Sequence, residues 1–203
     1  MSRLSLKLSS LALALAALTG AAQAGPVVQG SSNAGLQIAA FSPIGQSFTA
    51  EDAAISFGFM VSPINPFPPY STGDLSIDFK LLSGDGLGGA VLQAVSLTPA
   101  AGWSDYFDVD FSSVVLTVGS MYTVQASIAS NPYWGVSLAY ESNPYAGGRA
   151  YYSDPTTSFS NQAASDFAFR ITPAGGNTVP EPGSLAIVGL ALAGLAAARR
   201  RPA

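Results

Sequence analysis

For its middle, this sequence predicts an all-β fold: an antiparallel β-sandwich of the jelly-roll type. Three observations predict it. Apolar residues recur with period two from Leu36 to Thr172, clusters of Gly, Pro, Asn and Ser interrupt that alternation at short intervals, and no helical stripe occurs between Gly25 and Thr178.

Taken in order, Leu75-Ser76-Ile77-Asp78-Phe79-Lys80-Leu81 alternates without a fault, and Phe107-Asp108-Val109-Asp110-Phe111 does the same. Tyr122–Ile128 follows the rule, and Asp166-Phe167-Ala168-Phe169-Arg170-Ile171 closes the domain. Each reads as a strand with one face in a core and one in water. The alternation turns Phe79, Phe107, Val109, Tyr122, Val124, Phe167 and Phe169 inward. Between the strands lie turn clusters: Ser62–Gly73, Ser83–Gly89, Pro99–Gly102, Gly119-Ser120, Asn131-Pro132 and Asn143–Gly148. Roughly eight to ten short strands at this spacing suit a jelly roll, and an immunoglobulin-like sandwich fits the same pattern. A closed barrel suits it less, because several turns are long and proline-rich.

The two ends read differently. In residues 1–24, Arg3 and Lys7 precede the apolar stretch Leu8–Leu18, and Ala22-Gln23-Ala24 is a small-x-small site. These are the three parts of a signal peptide, cut after Ala24 by signal peptidase. The β domain is expected over residues 25–173, followed by an uncharged linker at 174–178. Residues 179–203 form a tail: Val179-Pro180-Glu181-Pro182, then an apolar segment at about 184–198, then Arg199-Arg200-Arg201. The fourteen residues Leu185–Ala198 reach roughly 21 Å as a helix, short of the ~30 Å of bilayer hydrocarbon. Snorkelling arginines and a thinned bilayer accommodate such a helix, so the tail predicts transient membrane insertion with the arginines on the cytoplasmic side.

Charge and composition narrow the function. Between Gly25 and Thr178, the cations Lys80, Arg149 and Arg170 face eleven Asp and Glu, three against eleven for a net of −8. An acidic body repels nucleic acid and anionic lipid, so neither is an expected partner. With no Cys the domain has no disulfides and rests on its core, for which 48% apolar and 10% aromatic residues supply material. With no His and no Cys there is no Ser-His-Asp triad, thiolate nucleophile or histidine metal ligand. The carboxylates Asp105, Asp108, Asp110, Glu141 and Asp154 could in principle form a glycosidase pair. Acids on the outer face of a strand, as Asp108 and Asp110 are, more simply keep it soluble, so no catalytic residue is assigned and no enzyme is expected. Gly84-Asp85-Gly86-Leu87-Gly88-Gly89 joins two strands and has no following Lys, so it reads as a glycine turn and not as a phosphate loop. No cofactor is expected beyond a structural calcium ion, for which Asp85 and Asp154, in carbonyl-rich loops, are the candidate ligands.

The tail, with Val179-Pro180-Glu181-Pro182, the apolar helix and Arg199–Arg201 in that order, resembles the PEP-CTERM sorting signal. That resemblance implies recognition by an exosortase, a membrane cysteine protease, with cleavage near the Pro-Glu-Pro run. It also implies a Gram-negative cell that makes exopolysaccharide and biofilm, and a protein exported, briefly anchored in the inner membrane, then placed at the surface or in the matrix. The core resembles secreted bacterial β-sandwich domains that carry various C-terminal anchors. This second likeness rests on Gly45-Gln46-Ser47-Phe48-Thr49-Ala50, on Tyr145-Ala146-Gly147-Gly148-Arg149-Ala150 and on Asp166-Phe167-Ala168-Phe169-Arg170. It implies a fold and no particular activity.

One local pattern suggests a ligand. Asn131-Pro132-Tyr133-Trp134 and Asn143-Pro144-Tyr145 repeat a turn that presents rings, with Tyr140, Arg149, Tyr151 and Tyr152 nearby in sequence. Flat rings edged by hydrogen-bonding groups make shallow sugar sites, and the same rings also cap sandwich ends. Tyr133, Trp134, Tyr140, Tyr145, Arg149 and Tyr151 are therefore the candidate glycan-binding residues, with Trp134 expected to project from the sandwich edge. The expectation is a non-enzymatic surface or matrix protein associated with exopolysaccharide. A purely structural or adhesive component and a polysaccharide-active enzyme are the alternatives.

Overall fold

Twelve β-strands and no helix make up the described residues, 25–64, 75–129, 132–152 and 165–174, of the computed structural model. The expected signal peptide with Ala22 and Ala24, most of the linker, the sorting tail and Asp154 lie outside the described residues.

The strands are β1 (Val27–Gln29), β2 (Ala34–Gln37), β3 (Ile44–Thr49), β4 (Ile55–Pro63), β5 (Ile77–Ser83) and β6 (Val91–Leu97). They continue with β7 (Asp105–Asp110), β8 (Met121–Ser127), β9 (Trp134–Ala139), β10 (Ala150–Tyr151), β11 (Asp166–Phe167) and β12 (Phe169–Pro173). The count exceeds the expected eight to ten partly because β1, β2 and β10 are too short to show alternation. The last alternating run also becomes two strands.

All pairings are antiparallel, in two sheets. One sheet has the neighbours β1-β12-β4, with β7 on the other side of β4; β9 joins the end of β4, and β2 and β11 flank β9. The second sheet runs β10-β3-β8-β5-β6. Both β12 and β9 are antiparallel to β4, yet β11 is antiparallel to β9, so the chain must change direction between Phe167 and Phe169. Ala168 is that corner. Its N–H donates to Ser137 O at 2.8 Å and its carbonyl accepts from Met60 N at 2.9 Å, so no buried backbone group is orphaned.

The sheets meet through aromatic rings. Phe48 of β3 lies 5.6 Å from Phe57 of β4, and Phe79 of β5 lies 6.0 Å from Phe107 of β7. Phe57 also stacks on Phe169 of β12 at 5.3 Å. Of the seven side chains predicted to point inward, Phe79, Val109, Tyr122, Val124, Phe167 and Phe169 are buried, and Phe107 is half-buried against the same core. Each fully buried Phe contributes about 1.5–3 kcal/mol, which is how a domain without disulfides holds together.

Asp166 departs from the alternation. Its phase assigned it to water, yet it is fully buried. The corner at Ala168 and the segment Asn143–Gly148 take it out of the pleat that the period assumes.

On the outer side of the first sheet, Gly58 pairs in register with Arg170 on one side and Asp108 on the other. With no side chain between them, Arg170 reaches across β4 and grips Asp108 with both Nε (2.8 Å to Oδ1) and Nη2, while its guanidinium lies 5.1 Å from the Tyr106 ring.

Candidate functional site

The three segments that carry the likeness to secreted sandwich domains converge in space, although up to 121 residues separate them. Gln46 lies inward on β3, in phase with Ile44 and Phe48, and is completely buried. Its Nε2 donates to Asp166 Oδ1 at 2.8 Å, and its Oε1 accepts from Phe167 N at 2.9 Å. The other Asp166 oxygen accepts from Tyr145 N at 2.8 Å, and the Asn143 amide, oriented by the acceptors around it, donates its Nδ2 to that oxygen at 2.6 Å and to Tyr145 O at 3.0 Å. Burial pushes the Asp166 carboxyl above the usual carboxylate range, against the pull of the Tyr145 N–H and the Gln46 amide.

This buried carboxylate fixes the start of the Asn143–Gly148 segment. The far end is fixed by β3: Ser47 N donates to Arg149 O at 2.9 Å and Arg149 N donates to Ser47 Oγ at 3.0 Å. Thr49 Oγ1 donates to Gly147 O at 3.0 Å. Arg149 therefore leaves the loop at a set position, independent of its own side-chain contacts.

Opposite it stands the glycine turn after β5. Gly84 and Gly86 have φ of 79° and 103°, a backbone that favours glycine. The Thr123 hydroxyl of β8 donates to Gly84 O at 2.9 Å and accepts from Gly86 N at 2.9 Å, so the turn is tied to the outer side of the second sheet. Leu87 then packs over β3, where a Cβ on Gly45 would come within 2.7 Å of it. Asp85 is thereby carried to Arg149 and Tyr151. Its carboxylate pairs with Arg149 Nη2 and accepts from the Tyr151 hydroxyl at 2.7 Å, and Arg149 Nε donates to that same hydroxyl at 2.7 Å. Burial is the largest single influence on Asp85 and raises it, but the hydrogen bonds from Arg149, Tyr151 and Ser47 and the Arg149 charge together outweigh it and leave the carboxyl below its ordinary range.

Between these two walls lies an open depression of ≈ 310 Å³, bordered by Thr49, Asp85, Asn143, Gly147, Gly148 and Arg149 among others. Of the six candidate glycan-binding residues, Arg149 borders it and Tyr151 holds Arg149 from beside. Tyr145 is half-buried with its ring edge-on to Phe169 at 5.1 Å, so it belongs to the core margin. Tyr140 is 47% exposed in the turn after β9. Tyr133 is half-buried, edge-on to Trp134 at 4.6 Å.

The expectation for Trp134 is overturned. It has no exposed surface, its Nε1 donates to Leu75 O at 2.8 Å, and it is among the largest fully buried side chains of the core. A ring enclosed on both faces offers no platform to a sugar. The Asn-Pro-Tyr turn ends one residue earlier than its sequence suggests: β9 begins at Trp134 with the ring on its inner side. Asp85 as a calcium ligand meets a similar objection, since its oxygens already face a guanidinium. Among the described residues no group of three or more carboxylates gathers.

Sequence reasoning missed Gln46, Ser47, Thr123, Asn143 and Asp166. Gln46 alone carried a signal, being a polar residue in the inward phase of an apolar strand, which demands a buried partner.

Asp166→Ala takes the acceptor from the Tyr145 N–H and one of the two acceptors from each of the Gln46 and Asn143 amides. The expected cost is about 1–3 kcal/mol in a urea titration, with the amide of Tyr145 exchanging faster than those of the core strands. The pH dependence has opposite signs at the two carboxylates. Asp166, raised in the folded state, favours folding fully below its unfolded value of 3.8 and loses that contribution as pH rises through its folded value. Asp85, lowered, contributes above 3.8 and ceases to as pH falls through its folded value.

Comparison with known proteins concerns the far end of the chain. Residues 178–201 match the PEP-CTERM protein-sorting motif. The PEP-CTERM tail implies recognition by an exosortase membrane protease and export of the chain. No curated protein matches the chain.

Proposed function

We propose that this is a non-enzymatic surface or matrix protein, exported, released by an exosortase at its PEP-CTERM tail and associated with exopolysaccharide through its β domain. The observation that carries the reading is the match of residues 178–201 to the sorting motif, attached to an acidic domain without His or Cys. A jelly roll is the fold we infer for that domain. The orders β1-β12-β4-β7 and β3-β8-β5-β6 support it, because along these eight strands the chain crosses between the sheets at every step but the β5–β6 hairpin, as two interlocked Greek keys require. β9, β10 and β11 then form an insertion ahead of the last strand.

The carboxylates support a non-catalytic role. Asp85 and Asp108 are each paired with an arginine. Asp166, whose raised pKa would suit a general acid in a cleft, is sealed from solvent and occupied by three donors.

Intact mass of the protein recovered from the medium of an exosortase-bearing host tests the reading. The expected species begins at Gly25 and ends near the Pro180-Glu181-Pro182 run. Released protein that retains Leu185–Arg201 would contradict processing by an exosortase.

A further inference from the structure

We propose that the depression between the 84–89 turn and the 143–149 loop binds a neutral, hydroxyl-rich sugar residue through a vicinal diol, with Asp85 accepting and Arg149 donating. The proposal rests on the association with exopolysaccharide put forward above and names the surface responsible.

Four observations point there. At ≈ 310 Å³ the depression sits at the lower end of the ~300–1,000 Å³ typical of small-ligand sites. Its walls are held from beneath: Thr123 ties the turn through Gly84 and Gly86, and Asp166, Gln46 and Ser47 tie the loop. Neither set of ties uses the Asp85 or Arg149 side chain, so the binding groups stand ready before a ligand arrives, which lowers the ordering cost.

The third observation is chemical. A carboxylate beside a guanidinium presents acceptors and donors a few ångströms apart, the pattern that two adjacent hydroxyls match, one donating and one accepting. Tyr151 orients both groups, accepting from Arg149 Nε and donating to Asp85 Oδ1. Gly147 and Gly148 let the loop backbone close onto β3 and the Tyr145 hydroxyl, where a Cβ would overlap Ser47 O and Tyr145 Oη, so the loop is seated without a side chain in the way.

The fourth is charge. Asp85 and Arg149 are the charged residues of the lining and cancel, while the body around them carries −8. A polyanion is repelled by such a body, whereas a neutral glycan is indifferent to it. Binding should then change little with salt.

The test uses the protein as released from its host, titrated calorimetrically with linear neutral β-1,4-gluco-, β-1,3-gluco- and manno-oligosaccharides and, separately, with polygalacturonate. At least one neutral oligomer is expected to bind with little salt dependence. Asp85→Asn and Arg149→Ala should each weaken it about tenfold or more, the loss of a charge-assisted hydrogen bond, at a nearly unchanged melting temperature. Arg170→Ala, which removes the Arg170–Asp108 pair on the first sheet, should leave affinity as it was.

Neutral binding that survives both variants would overturn this site and leave the association with polysaccharide standing. Binding of polygalacturonate alone would overturn the ligand class. Failure of every probe would overturn the site, and failure to bind the host's own exopolysaccharide as well would overturn the functional reading with it. Should Arg149→Ala unfold the domain, Arg149→Gln with the loop intact decides between the same outcomes.

Discussion

Trp134→Ala is expected to destabilise the domain by about 3–5 kcal/mol, the range for truncating a large aromatic in a packed core. The indole is wholly enclosed, Tyr133 packs edge-on against it at 4.6 Å, and its N–H satisfies Leu75 O at 2.8 Å. Removing it opens a cavity at the point where β9 meets the end of β4, with Pro63 directly opposite Trp134. It also leaves the carbonyl of Leu75 without its donor, at the mouth of β5. Against a total stability of about 5–15 kcal/mol for a domain of this kind, that loss would leave little margin. Urea unfolding followed by far-ultraviolet circular dichroism gives the midpoint. Trp134→Phe should fall between the two, keeping most of the apolar volume and losing the hydrogen bond. An unchanged midpoint for Trp134→Ala would mean that the ring is not part of the core.

Glu181→Ala is expected to act in the opposite manner, abolishing release while leaving the melting temperature of the domain untouched. Glu181 lies within the matched residues 178–201, outside the unit Ala24–Gly175 that contains both sheets. A protease that reads the Pro-Glu-Pro run depends on its single carboxylate, so membrane-retained precursor should accumulate in an exosortase-bearing host. Fractionation of membranes and medium, with antibody to the domain, measures the ratio. Release at the normal level would show that Val179–Pro182 serves only as a spacer.

Together the two substitutions divide the chain, one acting on stability and one on address. This division was readable from the residues alone. A sorting signal is a contiguous string, read by an enzyme in the order in which it is written, so no fold is needed to recognise Val179–Pro182, the apolar segment and Arg199–Arg201. Alternation is legible for a related reason. The pleat sends neighbouring side chains to opposite faces, so a period of two in Leu75–Leu81 or Tyr122–Ile128 is the strand itself, written locally.

What only the tertiary structure decided depends on segments distant in sequence. Period two says that a residue shares a face with its second neighbour, but not which face of a turn-flanking ring is covered. Trp134 follows a turn and precedes a strand, and its burial came from β4 and Leu75, some sixty to seventy residues earlier in the chain. Asp166 obeyed the alternation on paper and broke it in space, because the chain bends at Ala168 and the Asn143–Gly148 loop closes over it. Asp85 and Arg149, 64 residues apart, meet because Thr123 draws a glycine turn back over its own sheet while Ser47 anchors the facing loop. Each of these placements follows from strand pairing and loop anchoring between distant segments, and such contacts leave no periodic trace in the chain that makes them.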